Sequence, residues 1–218
     1  MTKPRTIQVH THAIAQLAPL TREAFSDMRA YQAYKKQQIY QQRNLHLSEA
    51  VQRPVQDTDF LKTEFGKPYL AQTAALAFNH SHSQQHYALA ISSHIQDIGV
   101  DVEDLARKVR FEALARHAFH PNELANWEQA DNPDEYWFKV WTTKEAVLKA
   151  SGLGIRISLN ELDTQVHSMH NGGICSHPEI GTFAYQNFLL PSMMLTVSWR
   201  SALSCKGFAF PEIQIFQH

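Results

Sequence analysis

The sequence predicts an α+β fold of two similar halves related by a pseudo-twofold axis, each a small, mainly antiparallel sheet packed with helices. Helix-like segments precede strand-like segments within residues 20–102 and again within residues 103–200. The chain has 218 residues, which is enough for two halves of about 100 residues each. Apolar residues make up 44% and no low-complexity linker interrupts the chain, so we expect the halves 1–98 and 99–218 to pack tightly, with an active site in the cleft between them.

The first half begins with a short strand at residues 6–10, followed by a long helix over residues 21–51. Gly66-Lys67-Pro68 then marks a break, because glycine and proline interrupt regular structure. The polar segment 78–83 indicates a turn. It leads into residues 87–92, which have the apolar character of a buried strand.

The second half begins with a strand at residues 98–102. Its longest helix is predicted to start after Asn132, because Asn at the cap, Pro133 at the first position and acidic residues in the first turn all favour a helix start. Gly152 is expected to end this helix. Two short helices and three antiparallel strands are predicted from the remaining periodicity, at 111–117, 121–127, 163–169, 182–190 and 193–200.

Composition excludes several classes of function. The net charge of −1 gives no electrostatic basis for binding nucleic acid or an anionic membrane. The two cysteines, Cys175 and Cys205, form no metal-binding spacing, which indicates a reducing compartment. No run of 18 apolar residues and no signal sequence occurs, so we expect a soluble cytoplasmic protein. The 13 histidines are mostly scattered in no metal-ligand pattern.

Asp101 and Glu103 lie in the strand that begins the second half, and their side chains point the same way because strand side chains alternate. An edge strand with one polar face commonly carries such residues without a function. Here Gly99, Val100 and Val102 suggest a central strand instead, in which two carboxylates are costly unless a cation or hydrogen-bond donors satisfy them.

Glu145 and Lys149 lie four residues apart on the predicted long helix and therefore on one face. A Glu–Lys pair at this spacing is usually an exposed ion pair worth only about 0.3–0.5 kcal/mol. The setting favours a site, because Trp137 and Trp141 anchor one side of the helix and leave the charged pair on its edge. Three carboxylates and one ammonium group aimed at one point would hold a divalent cation together with a phosphate ester.

Ser81 and His82 lie in the polar segment before the buried strand and offer short donors to an anion. A lone histidine is more often structural, and the absence of a GxSxG motif argues against a serine hydrolase. Lys67 in the Gly-Lys-Pro break is, taken alone, a turn residue.

Four motifs in order resemble the Sfp-type 4′-phosphopantetheinyl transferases across essentially the whole chain. They are Gly66-Lys67-Pro68, Phe78-Asn79-His80-Ser81-His82-Ser83, Gly99-Val100-Asp101-Val102-Glu103, and Trp141-Thr142-Thr143-Lys144-Glu145-Ala146 with Lys149. The departures are a valine near Asp101 and a longer insert between His82 and Asp101, and neither changes a charged group. Members of this family transfer the 4′-phosphopantetheine arm of coenzyme A to a serine of a carrier protein and release adenosine 3′,5′-bisphosphate.

The resemblance implies a role for each candidate residue. Asp101, Glu103 and Glu145 would bind Mg²⁺, with Mn²⁺ as the alternative, and the catalytic residues would be Asp101, Glu145 and Lys149. Glu145 would also act as the base, directly or through a metal-bound water, while Lys149 would contact the phosphate under attack. The remaining contacts with coenzyme A would be made by Ser81, His82, Lys67 at the adenosine end, and Lys36 and Arg43 at the 3′-phosphate.

The resemblance also implies an acidic apo carrier protein as the partner, whether acyl, polyketide or peptidyl, and a monomer suffices for a chain of two fused halves. Residues 105–128 mix basic with apolar side chains, and we expect this segment to dock the carrier. A solvated amphipathic helix explains the same pattern equally well. Two other functions stay open: a non-catalytic coenzyme A or carrier-binding module, and a divalent-metal phosphohydrolase that uses the same carboxylates.

Overall fold

The computed structural model describes residues 5–73, 75–154, 156–201 and 210–218. Within these ranges, ten strands occur in chain order: β1 (Thr6–Ala13), β2 (Phe60–Lys62), β3 (Pro68–Leu70), β4 (Ala77–His82), β5 (His86–Ser92), β6 (Ile98–Asp104), β7 (Gly172–His177), β8 (Gly181–Leu189), β9 (Met193–Arg200) and β10 (Glu212–Gln217). The α-helices are α1 (Ile14–Leu17), α2 (Met28–Val51), α3 (Phe111–Ala118), α4 (Pro121–Glu128) and α5 (Pro133–Ser151). Three-residue 3₁₀ helices occur at Arg22–Ala24, Asp57–Asp59 and Leu159–Glu161.

Two four-stranded sheets dominate the described structure. The first has the order β10-β1-β5-β4 and the second the order β6-β9-β8-β7, while β2 and β3 form a separate pair. All neighbours are antiparallel except β1 and β10, which run parallel. The predicted α+β class, with small, mainly antiparallel sheets packed with helices, is confirmed. Strand β10 comes from the end of the chain yet lies in the first sheet. The pseudo-twofold relation and the division at residue 98 stay predictions.

The two sheets share one hydrophobic core. Val9 of β1, Val100 of β6 and Val197 of β9 are fully buried members of the same cluster. Helix α2 covers the other face of the first sheet, where Leu47 packs with Tyr87 of β5. Strand β4, at the edge of the first sheet, and strand β6, at the edge of the second, therefore lie next to each other where the sheets meet.

Helix α5 lies across the second sheet at the start of β6. The side chain of Asn132 caps its first turn by accepting a hydrogen bond from Glu135 N at 3.2 Å, and Gly152 ends it in the left-handed conformation with φ of 73°. Both ends were predicted. A Cβ atom at Gly99 would lie 2.0 Å from Ala146 O, so the helix backbone rests directly on the strand. This close approach brings the charged edge of α5 next to that of β6.

Segment 78–83 was expected to be a turn, and this is wrong for residues 78–82, which lie in strand β4; only Ser83 lies beyond the strand. The polar residues misled the prediction: Asn79 is buried and its Oδ1 accepts a hydrogen bond from Val100 N at 2.9 Å. Its polar side chain is satisfied between the two sheets rather than by water. The long first helix begins at Met28 rather than at residue 21, because Asp27 is the residue whose side chain caps it.

The strand predicted at 163–169 is also wrong, because the fourth strand of the second sheet is β7, at Gly172–His177. Within the predicted range, Thr164 N donates to the side chain of Glu123 at 2.9 Å instead of to a neighbouring strand. Gln165 has a φ of 54°, which interrupts an extended chain. The other predicted strands and helices match the structure to within a few residues.

Cys175 is a buried free thiol, whereas Cys205 lies outside the described residues. Across the described ranges, no helix combines the length and the apolar character needed to cross a membrane.

Candidate active site

Strands β4 and β6 and helix α5 enclose a cleft of about 410 Å³ that collects most of the sequence-predicted residues. A volume in this range accommodates a small ligand. The residues that line it are His80, Ser81, His82, Asp101, Glu103, Arg107, Trp141, Glu145 and Lys149. The two segments that carried the sequence prediction, on β6 and α5, therefore meet in space.

Asp101, Ser81 and Lys149 form a closed triangle at the base of this cleft. Lys149 Nζ lies 2.6 Å from Asp101 Oδ1 and 2.7 Å from Ser81 Oγ, and Ser81 Oγ donates to Asp101 Oδ1 at 2.7 Å. Asp101 is only 5% exposed, and its second oxygen, Oδ2, is buried without a hydrogen-bond partner. A buried carboxylate oxygen left in this state is costly unless a cation satisfies it.

Glu103 and Glu145 complete the acidic wall of the cleft. Glu103 Oε1 accepts from Arg107 at 2.6 Å and from the indole of Trp141 at 3.2 Å. Burial, and then the negative charge of Asp101, raise the pKa of Glu145, while Lys149 opposes this shift. Burial is also the main cause that raises the pKa of Glu103. Within the described chain, no hydrogen bond engages the Glu145 carboxylate.

The three carboxylates share the cleft but stay apart. Within the described residues, they are not a group whose ligand atoms all lie within 4.8 Å of one another. Like charges repel, and two of the three carboxylates form ion pairs with cationic side chains: Asp101 with Lys149, and Glu103 with Arg107. The donor set nevertheless fits a hard divalent cation, because the buried Asp101 Oδ2 has no partner and Glu145 is unengaged.

A second cleft adjoins the first through shared walls of His80 and His82. Lys36 of α2 lines it together with Tyr40. Burial is the main cause that lowers the pKa of His80 to about 3, so its imidazole is neutral at physiological pH. His82 is exposed at the rim between the two clefts. The structure thus places Lys36 and His82 along one path that leads to the acidic wall.

Arg43 does not line these clefts. Its guanidinium is buried between the rings of Tyr40 and Phe60, at 4.4 and 3.9 Å, and forms an ion pair with Asp57 at 2.9 Å. The residue is 5% exposed. Arg43 therefore fastens α2 to the segment that follows it, and its charge is not open to a ligand as the sequence resemblance implied.

Lys67 holds the end of α5 against β6. Its Nζ donates to Ile98 O at 3.1 Å and to Ala150 O at 3.0 Å, and burial is the main cause that lowers its pKa to about 8. A third cleft joins Lys67 to Glu145 and Lys149. Lys67 therefore borders the site, but its ammonium group is largely committed to backbone carbonyls.

Two neighbours of the site were missed from the sequence. Trp141 and Arg107 line the cleft, and both bind Glu103. A signal for Trp141 was present, because Trp141, Glu145 and Lys149 are spaced by four residues and share one helix face. Arg107 lies four residues after Glu103 beyond the end of the strand, where spacing carries no such information.

Lys144, next to Glu145, is a structural residue rather than a solvated one. It is 1% exposed and forms a buried ion pair with Glu123 of α4 at 2.8 Å. Its Nζ also donates to the carbonyl oxygens of Leu159 and Leu162. These contacts hold α5 in the orientation that turns Glu145 toward the cleft.

Segment 105–128 separates its basic and apolar residues. Arg107, Lys108, Arg110 and Arg116 are exposed. The apolar side chains that were expected at the centre of a docking surface instead pack against the core around Trp137, which contains Phe111, Leu114, Phe119 and Leu124. Most of the apolar side chains that would form the centre of a docking surface are therefore already packed in the core.

Comparison with known proteins shows what the chain that carries this acid-rich cleft is similar to. Residues 97–190 match the model of the 4′-phosphopantetheinyl transferase superfamily. The chain is 40% identical over 95 residues to the 4′-phosphopantetheinyl transferase HetI of Nostoc sp., covering 41% of this chain and 40% of that protein. It is 34% identical over 108 residues to AcpT of Escherichia coli, covering 48% and 54%.

The chain is also 28% identical over 123 residues to Sfp of Bacillus subtilis, covering 56% of this chain and 53% of Sfp. It spans about half the length of the curated relatives it matches. These matches agree with the resemblance found in the motifs: residues 97–190 of this chain are similar to the 4′-phosphopantetheinyl transferase superfamily.

Proposed function

We propose that this chain transfers the 4′-phosphopantetheine group of coenzyme A to a serine of an apo carrier protein, giving the holo carrier and adenosine 3′,5′-bisphosphate. The observation that carries the proposal is the meeting of Asp101, Glu103, Glu145 and Lys149 in one cleft. Attack of a hydroxyl on a phosphoanhydride requires neutralised phosphate charge, a base, and a positioned nucleophile. These four side chains supply the first two requirements.

Asp101, Glu103 and Glu145 would hold Mg²⁺, with Mn²⁺ as the alternative, since both prefer carboxylate oxygens. When bound, the ion would neutralise the charge of the pyrophosphate. Lys149 supports the same task from the protein side: its ammonium group is held at the base of the cleft by Asp101 and Ser81, so its position is set before a phosphate arrives.

Glu145 is the base in this proposal. It carries a carboxylate that no described hydrogen bond engages, and burial raises its pKa, which makes it a stronger base for the proton of the carrier serine. Asp101 is less suited to this role, because Lys149 and Ser81 both bind its Oδ1.

Coenzyme A would lie along the adjoining clefts. Lys36 and His82 line the path on the side of α2, where they are free to meet phosphate groups. Lys67 would contribute the aliphatic part of its side chain on the opposite side, next to Gly152. Ser81 would act mainly through Lys149, which it positions, and Arg43 would act only by holding α2 in place.

The test is incubation of the protein with coenzyme A, Mg²⁺ and apo carriers of the acyl, polyketide and peptidyl types, followed by intact mass. We expect one phosphopantetheine on at least one carrier. Glu145→Gln should abolish transfer with an unchanged melting temperature or a higher one. Glu179→Gln, at an exposed position between β7 and β8, is the matched control and should retain full activity.

Each alternative gives a different result in this assay. Coenzyme A that binds without modifying any carrier would indicate a non-catalytic binding module. Release of adenosine 3′,5′-bisphosphate without a carrier would indicate a phosphohydrolase. Full transfer by Glu145→Gln would remove Glu145 from both of its proposed roles.

We also propose that the exposed basic residues of segment 105–128 steer an acidic carrier to the cleft. Lys108→Glu with Arg110→Glu tests this without disturbing Arg107, which binds Glu103. The carrier KM should rise about tenfold and fall back toward that of the unmodified protein at high salt, as expected for steering between opposite charges. An unchanged KM would contradict docking at this segment.

We expect the protein to act as a cytoplasmic monomer.

A further inference from the structure

Four histidines that are far apart in the sequence meet at one end of the first sheet, away from the acidic cleft. His10 and His12 share one face of β1, His46 comes from α2, and His218 follows β10. The parallel pairing of β1 and β10 brings them together, and His218 N donates to Thr11 O at 3.0 Å. The sequence spacing gave no sign of this cluster.

The nitrogen atoms of these rings are close enough to share an ion. The candidate ligand atoms of His10, His46 and His218 all lie within 4.8 Å of one another. His10 Nδ1 and His218 Nε2 are 3.1 Å apart, and His12 Nε2 lies 2.8 Å from His46 Nε2. Metal–nitrogen bonds of about 2.0–2.1 Å in a tetrahedral site place ligand nitrogens about 3.3 Å apart, so small side-chain rotations suffice.

We infer that His10, His46 and His218 form a binding site for a divalent first-row transition metal such as Zn²⁺. His12 lies beside them, either as a fourth ligand or as a neighbour that does not contact the ion. Imidazole nitrogens suit such ions, whereas Mg²⁺ prefers the oxygens of the acidic cleft. The site joins β1, α2 and β10, so its metal would tie the end of the chain to the first sheet.

A further observation at His46 supports a site rather than a stack of packed rings. His46 is 6% exposed, and its buried Nδ1 makes no hydrogen bond although Glu49 Oε2 lies 3.4 Å away. An acidic neighbour at this distance favours a cation.

The test is calorimetric titration of the full, tag-free chain with Zn²⁺ in a large excess of Mg²⁺, which would occupy the acidic cleft under the proposed function. We expect one equivalent to bind, and we expect the melting temperature to rise by several degrees. His218→Ala changes an exposed side chain, and His10→Ala a half-buried one; each should weaken binding at least tenfold. The matched control is His167→Ala with His170→Ala, which removes the exposed, stacked pair at a ring distance of 4.4 Å and should leave the affinity unchanged.

Two results would overturn the inference. One is the absence of saturable binding of a single Zn²⁺ under these conditions. The other is an affinity that is the same in His218→Ala as in the unaltered protein, because the ion would then bind elsewhere. Neither result would affect the transferase proposal, since no residue of the histidine cluster lines the acidic cleft.

Discussion

Gly99→Ala is the change that most directly tests how the active site is assembled. Gly99 is where the backbone of α5 rests on β6: an added Cβ would lie 2.0 Å from Ala146 O and 2.5 Å from Ala150 N. Both atoms belong to the helix backbone, so no side chain can rotate to make room. The helix must therefore move away from the strand.

The size of the effect follows from these distances. Ordinary contact needs about 3.4 Å, so α5 must retreat by roughly 1.4 Å, and such overpacking costs about 3 kcal/mol of stability. For a protein of 150–250 residues this corresponds to a melting temperature lower by about 6–12 °C. Glu145 and Lys149 directly precede the displaced residues and would move with them, and a misplacement of about 1 Å can reduce a reaction rate about 100-fold.

The assay pairs calorimetric unfolding with phosphopantetheine transfer to the carrier that the unaltered protein modifies best. Gly172→Ala is the control. Gly172 lies on the edge strand β7, away from the residues that line the cleft, and its added Cβ would lie 3.0 Å from Tyr185 O. We expect the control to lose little stability and to keep its activity. If Gly99→Ala melts within about 2 °C of the unaltered protein and keeps its rate, the direct seating of α5 on β6 does not position the site.

Three further predictions test the surroundings of the site. Lys144→Met leaves the buried carboxylate of Glu123 unpaired and should lower the free energy of unfolding by about 3–5 kcal/mol in urea denaturation; a loss below about 1 kcal/mol would contradict a buried ion pair. The raised pKa of Glu145 means that its ionised form destabilises the fold above that pKa. In the presence of EDTA, Glu145→Gln should therefore melt above the unaltered protein at pH 8, and this gap should shrink as the pH falls toward 4.5; a gap independent of pH would refute the shift. Lys36→Ala should raise the KM for coenzyme A about tenfold with little change in kcat, as expected for a ground-state phosphate contact; a loss in kcat alone would place Lys36 elsewhere.

Local signals explain the parts of the fold that sequence reasoning predicted well. Helix α5 carries its own start and stop signals in Asn132 and Gly152, and both act within one turn of the helix ends. Strand β4 was missed because Asn79 is polar yet buried, with its partner on β6. Alternation of polar and apolar residues predicts the face of a strand only where one face meets water, and β4, at the edge of the first sheet, is covered by β6 of the second.

The same difference between local sequence signals and tertiary contacts applies to the site residues. Asp101, Glu103, Glu145 and Lys149 could be predicted to share a site because period-two and period-four spacing set the direction of each pair on its own element. The spacing of residues in the sequence does not show whether a charged group already has an ion-pair partner within the fold. The structure alone indicates that Arg43 is committed to an ion pair within the fold.

The sequence by itself determined which charged side chains lie on the edge of α5 and of β6, and its motifs indicated the family that it resembles. Only the tertiary structure decided that these edges meet at Gly99, that Asp101 is held by Lys149 and Ser81, and that histidines from three elements form a second cluster. The physical reason is range. Turn, cap and periodicity preferences act over a few residues, whereas these contacts join segments far apart in the chain and exist only once the two sheets share a core.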